Sequence, residues 1–328
     1  MGDAKRRSYL PITPKYLSIM PKSSVKIAVV GDVHDLWQPV ADRLALQALG
    51  VDLVLFVGDI GNESVEVVRA IANLDMPKAV ILGNHDAWYS ASDNPKKPNN
   101  KKCPYDRTKE DRVQQQLDIL GKIHVGYSWL DFPALNLSVV GARPFSWGGS
   151  RWKKEAFYSD RFNVKSFAES TQRIVKSVAN TAHDNIIFLG HNGPFGLGNE
   201  EHSISGKDWK AGGGDYGDPD FTEAISKSYQ MLKTVSLVTF GHMHHHLRLN
   251  SKRTREVLVT NDKGTVFLNA ACTPRILKSN NEEYRNFSIV TLESGNITQI
   301  SLVWLNSHCQ VVKEIILLQC TIQTCSAK

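Results

Sequence analysis

Five times along the chain a short apolar run stops at a glycine followed by polar residues. VKIAVVGD (25–32), DLVLFVGD (52–59), KAVILGNHD (78–86), NIIFLGHNGPFG (185–196) and VSLVTFGHMH (235–244) share that form. Each run is continuous, brief and rich in β-branched side chains, which predicts a strand buried on both faces. Helical stretches lie between or behind them: PVADRLALQALG (39–50), ESVEVVRAIANL (63–74), KEDRVQQQLDIL (109–120) and a longer region over roughly 160–182. Strands alternating with helices at this spacing predict βαβ units and a parallel sheet. In such sheets ligands gather at the carboxyl ends of the strands, which is where all five runs carry their polar residues.

The remaining text is of other kinds. HVGYSWLDF (124–132) and LNLSVVGARPFS (135–146) are strand-like, and VLVTNDKGTVFLNAA (257–271) and NFSIVTLESGNITQISLVWL (286–305) read as hairpins of a second sheet. SASDNPKKPNNKKCPYD (90–106) reads as a long surface loop, its Lys96, Lys97, Lys101 and Lys102 as a solvated charge run. The glycine-rich, acidic stretch 196–220 predicts a lid or pocket rim. The tail 306–328 breaks the pattern and is read as an atypical C-terminus outside the site, with an amphipathic helix or an edge strand as its local options. Residues 1–24 are expected to be a flexible basic leader and 25–305 the domain that carries these elements. The leader has no apolar core of a secretory signal, and Arg6 breaks the myristoylation pattern.

Composition narrows the class. A chain of 328 residues with 41% hydrophobic and 22% charged positions has ample material for a core. No apolar run approaches the roughly 20 residues needed to span a bilayer, so no membrane partner is expected. A net charge of +6 suits anionic substrates and falls short of a nucleic-acid footprint. The five cysteines are odd in number and without a CxxC pair, which argues against a disulfide framework and a thiolate zinc site. The expected setting is intracellular, cytoplasmic, with a chloroplast as the alternative if the leader is part of a transit peptide.

The strand ends deliver Asp32 and His34, Asp59, the trio Asn84, His85 and Asp86, then His191, and finally His242 and His244. Carboxylate, imidazole and amide oxygen without thiolate suit Mn, Fe or Zn better than Mg or Ca. His242 and His244 are two apart, so on extended backbone they face one side. Taken singly, each motif is weak: a lone histidine is more often a hydrogen-bonded core or surface residue, and Gly58–Asp59 alone is a turn.

In this order, GDVH (31–34), GD (58–59), GNHD (83–86), GHNGP (190–194) and GHMH (241–244) resemble the calcineurin-like metallophosphoesterases. GARPFSWGG (141–149) and GKDWKAGGGDYGDPD (206–220) carry a closer likeness to uncharacterised cyanobacterial and plant members. The resemblance implies a four-layer α/β/β/α sandwich of two mixed sheets and a dinuclear centre of two divalent ions. It assigns Asp32, His34 and His244 to the first metal, Asn84, His191 and His242 to the second, and Asp59 to both. It also implies hydrolysis of a small-molecule phosphate mono- or diester by a metal-activated hydroxide, with His85 as general acid for the leaving oxygen. Asp86 is expected to hydrogen-bond the His85 ring, and Arg143 to reach the substrate phosphate. His245 and His246 lie outside the pattern.

The chain departs from the family at Asp35, where many members have glycine, which is expected to crowd or recharge the approach to the first metal. GDIGNES (58–64) lacks the Asp-Arg-Gly of the protein Ser/Thr phosphatases, and GNHD replaces their GNHE, so that class is not expected. Trp147, Trp152 and Trp209 flank glycine-rich segments and are candidates either for a pocket for an aromatic leaving group or for rim packing. The competing readings are an inert binding or scaffold protein of the same fold and a nuclease.

Overall fold

The computed structural model describes residues 22–91, 103–250, 252–279 and 282–320. Residues 1–21 of the leader, the lysine run of 96–102 and the last eight residues lie outside them. The strands are β1 (Ser24–Val30), β2 (Leu53–Phe56), β3 (Lys78–Val80), β4 (Trp129–Phe132), β5 (Leu137–Gly141), β6 (Asn185–Leu189) and β7 (Thr234–Phe240). They continue with β8 (Leu258–Thr260), β9 (Val266–Asn269), β10 (Ile276–Ser279), β11 (Glu282–Glu293), β12 (Asn296–Leu305) and β13 (Val311–Gln319). The helices are α1 (Pro39–Ala48), α2 (Val65–Ala72), α3 (Arg112–Leu120), α4 (Glu155–Phe162), α5 (Phe167–Ala179) and α6 (Pro219–Gln230).

Two mixed sheets result. One runs β13-β12-β11-β1-β2-β3 with β10 beside β11; the other runs β4-β5-β6-β7-β9-β8. The βαβ expectation holds locally, since β1, β2 and β3 are parallel neighbours and so are β6 and β7. The five runs do not share one sheet, however, and the two C-terminal hairpins do not form a separate one. The hairpin β8–β9 extends the sheet of β7, whereas β11–β12 extends the sheet of β1. Apolar alternation reports how buried a strand is and leaves its sheet membership open. Val311–Gln319, where the sequence left helix and strand open, is the edge strand pairing with β12.

Alternation shows the layering. In β1 and β2, Ile27, Val29, Leu53 and Leu55 join a core shared with Ile187, Leu189, Leu237 and Phe240 of the other sheet. Their sequence neighbours Ala28, Val30, Val54 and Phe56 face Ala45 and Leu46 of α1 and Val68 and Ile71 of α2. Helices α5 and α6 cover the second sheet with Ile174, Val178, Phe221 and Ala224. The order is helix, sheet, sheet, helix, the four layers expected. In α5, Ser166 caps by accepting the Glu169 N–H, and Ser170, Thr171, Ile174, Ser177 and Val178 form its buried stripe.

Candidate metal centre

The two sheets bring the carboxyl ends of β1, β2, β3, β6 and β7 together. A strand that ends at a glycine turn lets the next side chain face the crevice. Three overlapping groups form there: Asp32 with His34 and His244; His34 with Asp59 and His85; and Asp59 with His191 and His242. Within each group the possible donor atoms lie within 4.8 Å of one another. Asp59 Oδ1 is 3.2 Å from His191 Nε2, and Asp32 Oδ2 is 3.3 Å from His244 Nε2. The Nε2 atoms of His34 and His244 are 3.2 Å apart, and Asn84 Oδ1 is 2.9 Å from His191 Nε2. Two ring nitrogens that approach so closely share one small space, as donors to a common cation do.

Hydrogen bonds set the orientation of several donors. His191 donates from Nδ1 to the Val57 carbonyl at 2.8 Å, which leaves the Nε2 lone pair aimed at Asn84 and Asp59. Asp59 Oδ1 accepts the His85 backbone N–H at 2.8 Å, and Asp32 accepts the His242 N–H. His34, Asp59 and His242 all have positive φ, at 44°, 47° and 66°. Non-glycine residues adopt that region at a cost of order 1 kcal/mol or more each, a pattern typical of functional turns. Gly83 has no room for a side chain: a Cβ there would meet Asp59 Oδ1 at 2.4 Å.

The electrostatics favour a bound cation. Asp32 and Asp59 are 1% and 2% exposed, and burial together with the Asp32 charge raises the Asp59 carboxyl well above the usual range. Burial alone would raise Asp32 too, but hydrogen bonding and charge from His244 outweigh it and hold Asp32 low. The same pairing raises His244 despite burial. Burial pushes His34 and His242 down and His85 down to about 3. Neutral imidazoles facing two buried carboxylates form a donor set suited to divalent cations, and the residues present fit such ions.

Not every expected residue is in the crevice. Arg143 is 3% exposed, donating to Asp218 at 2.7 Å and Asp220 at 2.9 Å, with its guanidinium over Trp152, Tyr158 and Phe167. It is a buried structural ion pair and does not face a substrate. Asp86 does not meet the His85 ring either; its carboxylate accepts the backbone N–H groups of Ile60, Gly61 and Gly83, bracing the turns that carry Asp59 and Asn84. His85 Nδ1 instead lies 2.6 Å from Asn62 Oδ1. Asp35 is exposed, its carboxylate against Gly61. His245 is buried and donates from Nε2 to the Asn269 carbonyl.

A cleft of about 350 Å³ opens beside the cluster, lined by Asp59, Asn84, His85, His242 and His244 together with Trp88, Trp147, Trp209, Tyr216 and Arg248. Trp147 and Trp209 thus line a pocket, whereas Trp152 packs on Tyr158 and Phe167. Sequence reasoning missed Asn62, Trp88, Tyr216 and Arg248. Asn62 follows Asp59 by three positions, and only a loop that folds back brings it to His85.

A family model described as calcineurin-like phosphoesterase matches residues 25–246. No curated relative matches the sequence. Among solved structures, the chain is similar to TT1561 of Thermus thermophilus at 10% identity, covering 90% of this chain and 99% of that one, with a TM-score of 0.44. It is likewise similar to a dimetal phosphatase from Danio rerio at 11% identity, covering 90% and 99%, with a TM-score of 0.44. The family match spans more than half of the sequence and every strand end of the cluster, and the chain belongs to the calcineurin-like phosphoesterase family.

Proposed function

We propose that this protein hydrolyses a phosphate mono- or diester of a small molecule with two divalent ions bound, Mn, Fe or Zn. Asp32, His34 and His244 would hold one ion, Asn84, His191 and His242 the other, and Asp59 both. The observation that carries this reading is the sharing of Asp59 between a group containing His34 and a group containing His191 and His242. Bound there, the ions supply Lewis acidity for the phosphoryl oxygens and a more acidic water.

The chain's own residues orient and exchange protons. His191 is fixed in one tautomer by the Val57 carbonyl, so its orientation persists through turnover. Asn62 accepts from His85 Nδ1, which leaves Nε2, 3.9 Å from Asp59 Oδ2, as the atom that carries or releases the transferable proton. Burial disfavours the His85 imidazolium and a bound phosphoryl anion favours it, so His85 holds the proton it donates better with substrate bound than without. A cytoplasmic setting goes with this reading: the described cysteines, Cys103, Cys272, Cys309 and Cys320, are unpaired. Among the described residues no helix is long and apolar enough to cross a membrane.

The test is turnover of p-nitrophenyl phosphate and bis(p-nitrophenyl) phosphate by the full chain after loading with Mn, Fe or Zn. The expected result is hydrolysis that a chelator abolishes and added metal restores. Two bound ions with no turnover of either ester would favour an inert scaffold, and steeply salt-dependent DNA binding would favour a nuclease.

A further inference from the structure

The cleft beside the metal cluster has a composition that the hydrolysis reading does not use. Beyond the cluster residues, its lining consists of Trp88, Trp147, Trp209, Tyr216 and Arg248. Trp88 stacks on His85 at 4.5 Å and 17°, and Trp147 continues the stack at 5.4 Å and 20°. Tyr216 lies parallel to His242 at 6.5 Å and 9°, and Trp209 meets Tyr216 edge-on at 4.5 Å. Trp88 is thus sandwiched between His85 and Trp147, and cations sit over the outer rings: Lys154 over Trp147, Lys153 over Tyr216 and Arg248 over Trp209.

These rings are held in place before any ligand arrives. Lys153 donates to the Gly148 carbonyl at 2.7 Å, to the Trp147 carbonyl at 3.3 Å and to the Tyr216 hydroxyl, tying the 147–149 turn to the 206–220 segment. Gly148 has φ +63°, and a Cβ there would meet Tyr216 Cδ1 at 2.7 Å, so the ring packs directly on the turn. The rings are nevertheless not core: Trp209 is 39% exposed, and Trp88, Trp147 and Tyr216 are half-buried. Among the described residues the lining offers no serine, threonine or glutamine and no carboxylate outside the cluster, so the hydroxyls of a polyol would find few partners. Stacking surface beside an anion site selects a flat ring.

We propose that the cleft is a ring subsite, and that the substrate is a phosphate ester whose organic group carries a planar aromatic ring, seated between the Trp88–Trp147 stack and the pair Tyr216 and Trp209, with Arg248 beside Trp209 at the rim. The substrate assignment rests on the phosphoesterase reading; the ring subsite does not. A cleft near the lower end of the usual 300–1,000 Å³ of ligand sites admits one ring system and a phosphoryl group.

Calorimetric titration of the metal-loaded full chain with phenylphosphonate and methylphosphonate, which carry a phenyl or a methyl group on the same phosphonate and are not hydrolysed, tests the subsite. Phenylphosphonate is expected to bind about tenfold tighter, with the margin lost in Trp209→Ala and regained in Trp209→Phe. Trp209 is exposed at the rim, so the alanine variant is expected to fold. Equal affinity for the two probes, or equal weakening of both by Trp209→Ala, would overturn the subsite. The KM ratio of adenosine monophosphate to ribose 5-phosphate, which are both cleaved at a ribose 5′-oxygen and differ in the base, then identifies the source of the ring: a ratio of about 0.1 indicates a nucleobase, and a ratio near one with turnover of phenyl phosphate indicates an aryl ester. If phenylphosphonate is preferred but neither these two phosphates nor phenyl phosphate is hydrolysed, the subsite stands and the phosphoesterase reading fails.

Discussion

Asp59 is the side chain on which the candidate site turns. Its carboxylate meets His191, accepts the His85 backbone N–H and faces His34, while burial beside Asp32 makes an uncompensated negative charge there costly. Asp59→Asn is expected to remove at least one bound ion per chain, as read by elemental analysis. His85→Gln separates two roles that its geometry permits, since His85 is both beside Asp59 and within a possible ligand group. With His85 as the acid, kcat falls about 100-fold or more and metal content stays full; if metal content drops with it, His85 is a ligand. Asn62→Ala is expected to lower kcat more than it raises KM and to shift the basic limb of the rate profile, where the acid loses its proton, because only Nδ1 loses its partner. Arg143 shows where reading from the sequence went astray. An arginine near a glycine-rich turn suits a phosphate, yet Asp218 and Asp220 lie 75 and 77 residues away in sequence, and only the fold brings them to it. Arg143→Met is expected to destabilise the protein by roughly 3–5 kcal/mol in denaturant unfolding, with little change in KM, because it strands two buried carboxylates.

At the level of elements, the glycine-terminated strands were the most legible feature. Apolar runs bounded by Gly-Asp, Gly-Asn or Gly-His mark where a buried strand ends and a crevice begins, and β1, β2, β3, β6 and β7 end there. Which sheet each strand joined was not legible, because pairing depends on partners more than a hundred residues distant, as in β1 against β11. The left-handed turns at His34, Asp59 and His242 were equally hidden, since Asp and His tolerate a positive φ better than most residues but do not require one. The connection into β4 contributes a pH response outside the site. His124 is 9% exposed, its Nε2 has no hydrogen-bond partner among the described residues, and burial pushes its pKa down to about 4 from 6.5. The unfolded chain therefore takes up a proton first, so stability is full above about pH 6.5 and declines as pH falls towards 4. His245, also pushed down to about 4, adds to the same decline. His124→Gln is expected to flatten the dependence of unfolding free energy on pH between these limits by up to one proton, about 1.4 kcal/mol per pH unit. An unchanged slope in urea titrations at pH 6.5, 5.5 and 4.5 would show that His124 is not buried as a neutral ring.

For the whole molecule, two sheets packed face to face convert five separate strand ends into one crevice, and helices on both outer faces stabilise that arrangement without entering it. A cluster assembled from residues 32 to 244 cannot survive loss of sheet-to-sheet packing, so metal binding and folding are expected to be coupled. The measurement closest to the central claim is the metal stoichiometry of the purified full chain beside its Asp59→Asn variant, by elemental analysis after loading with Mn or Zn and removal of excess ion. The account predicts two ions per wild-type chain and one or none in the variant. A wild-type chain that retains no ion, or a variant that still holds two, would contradict it.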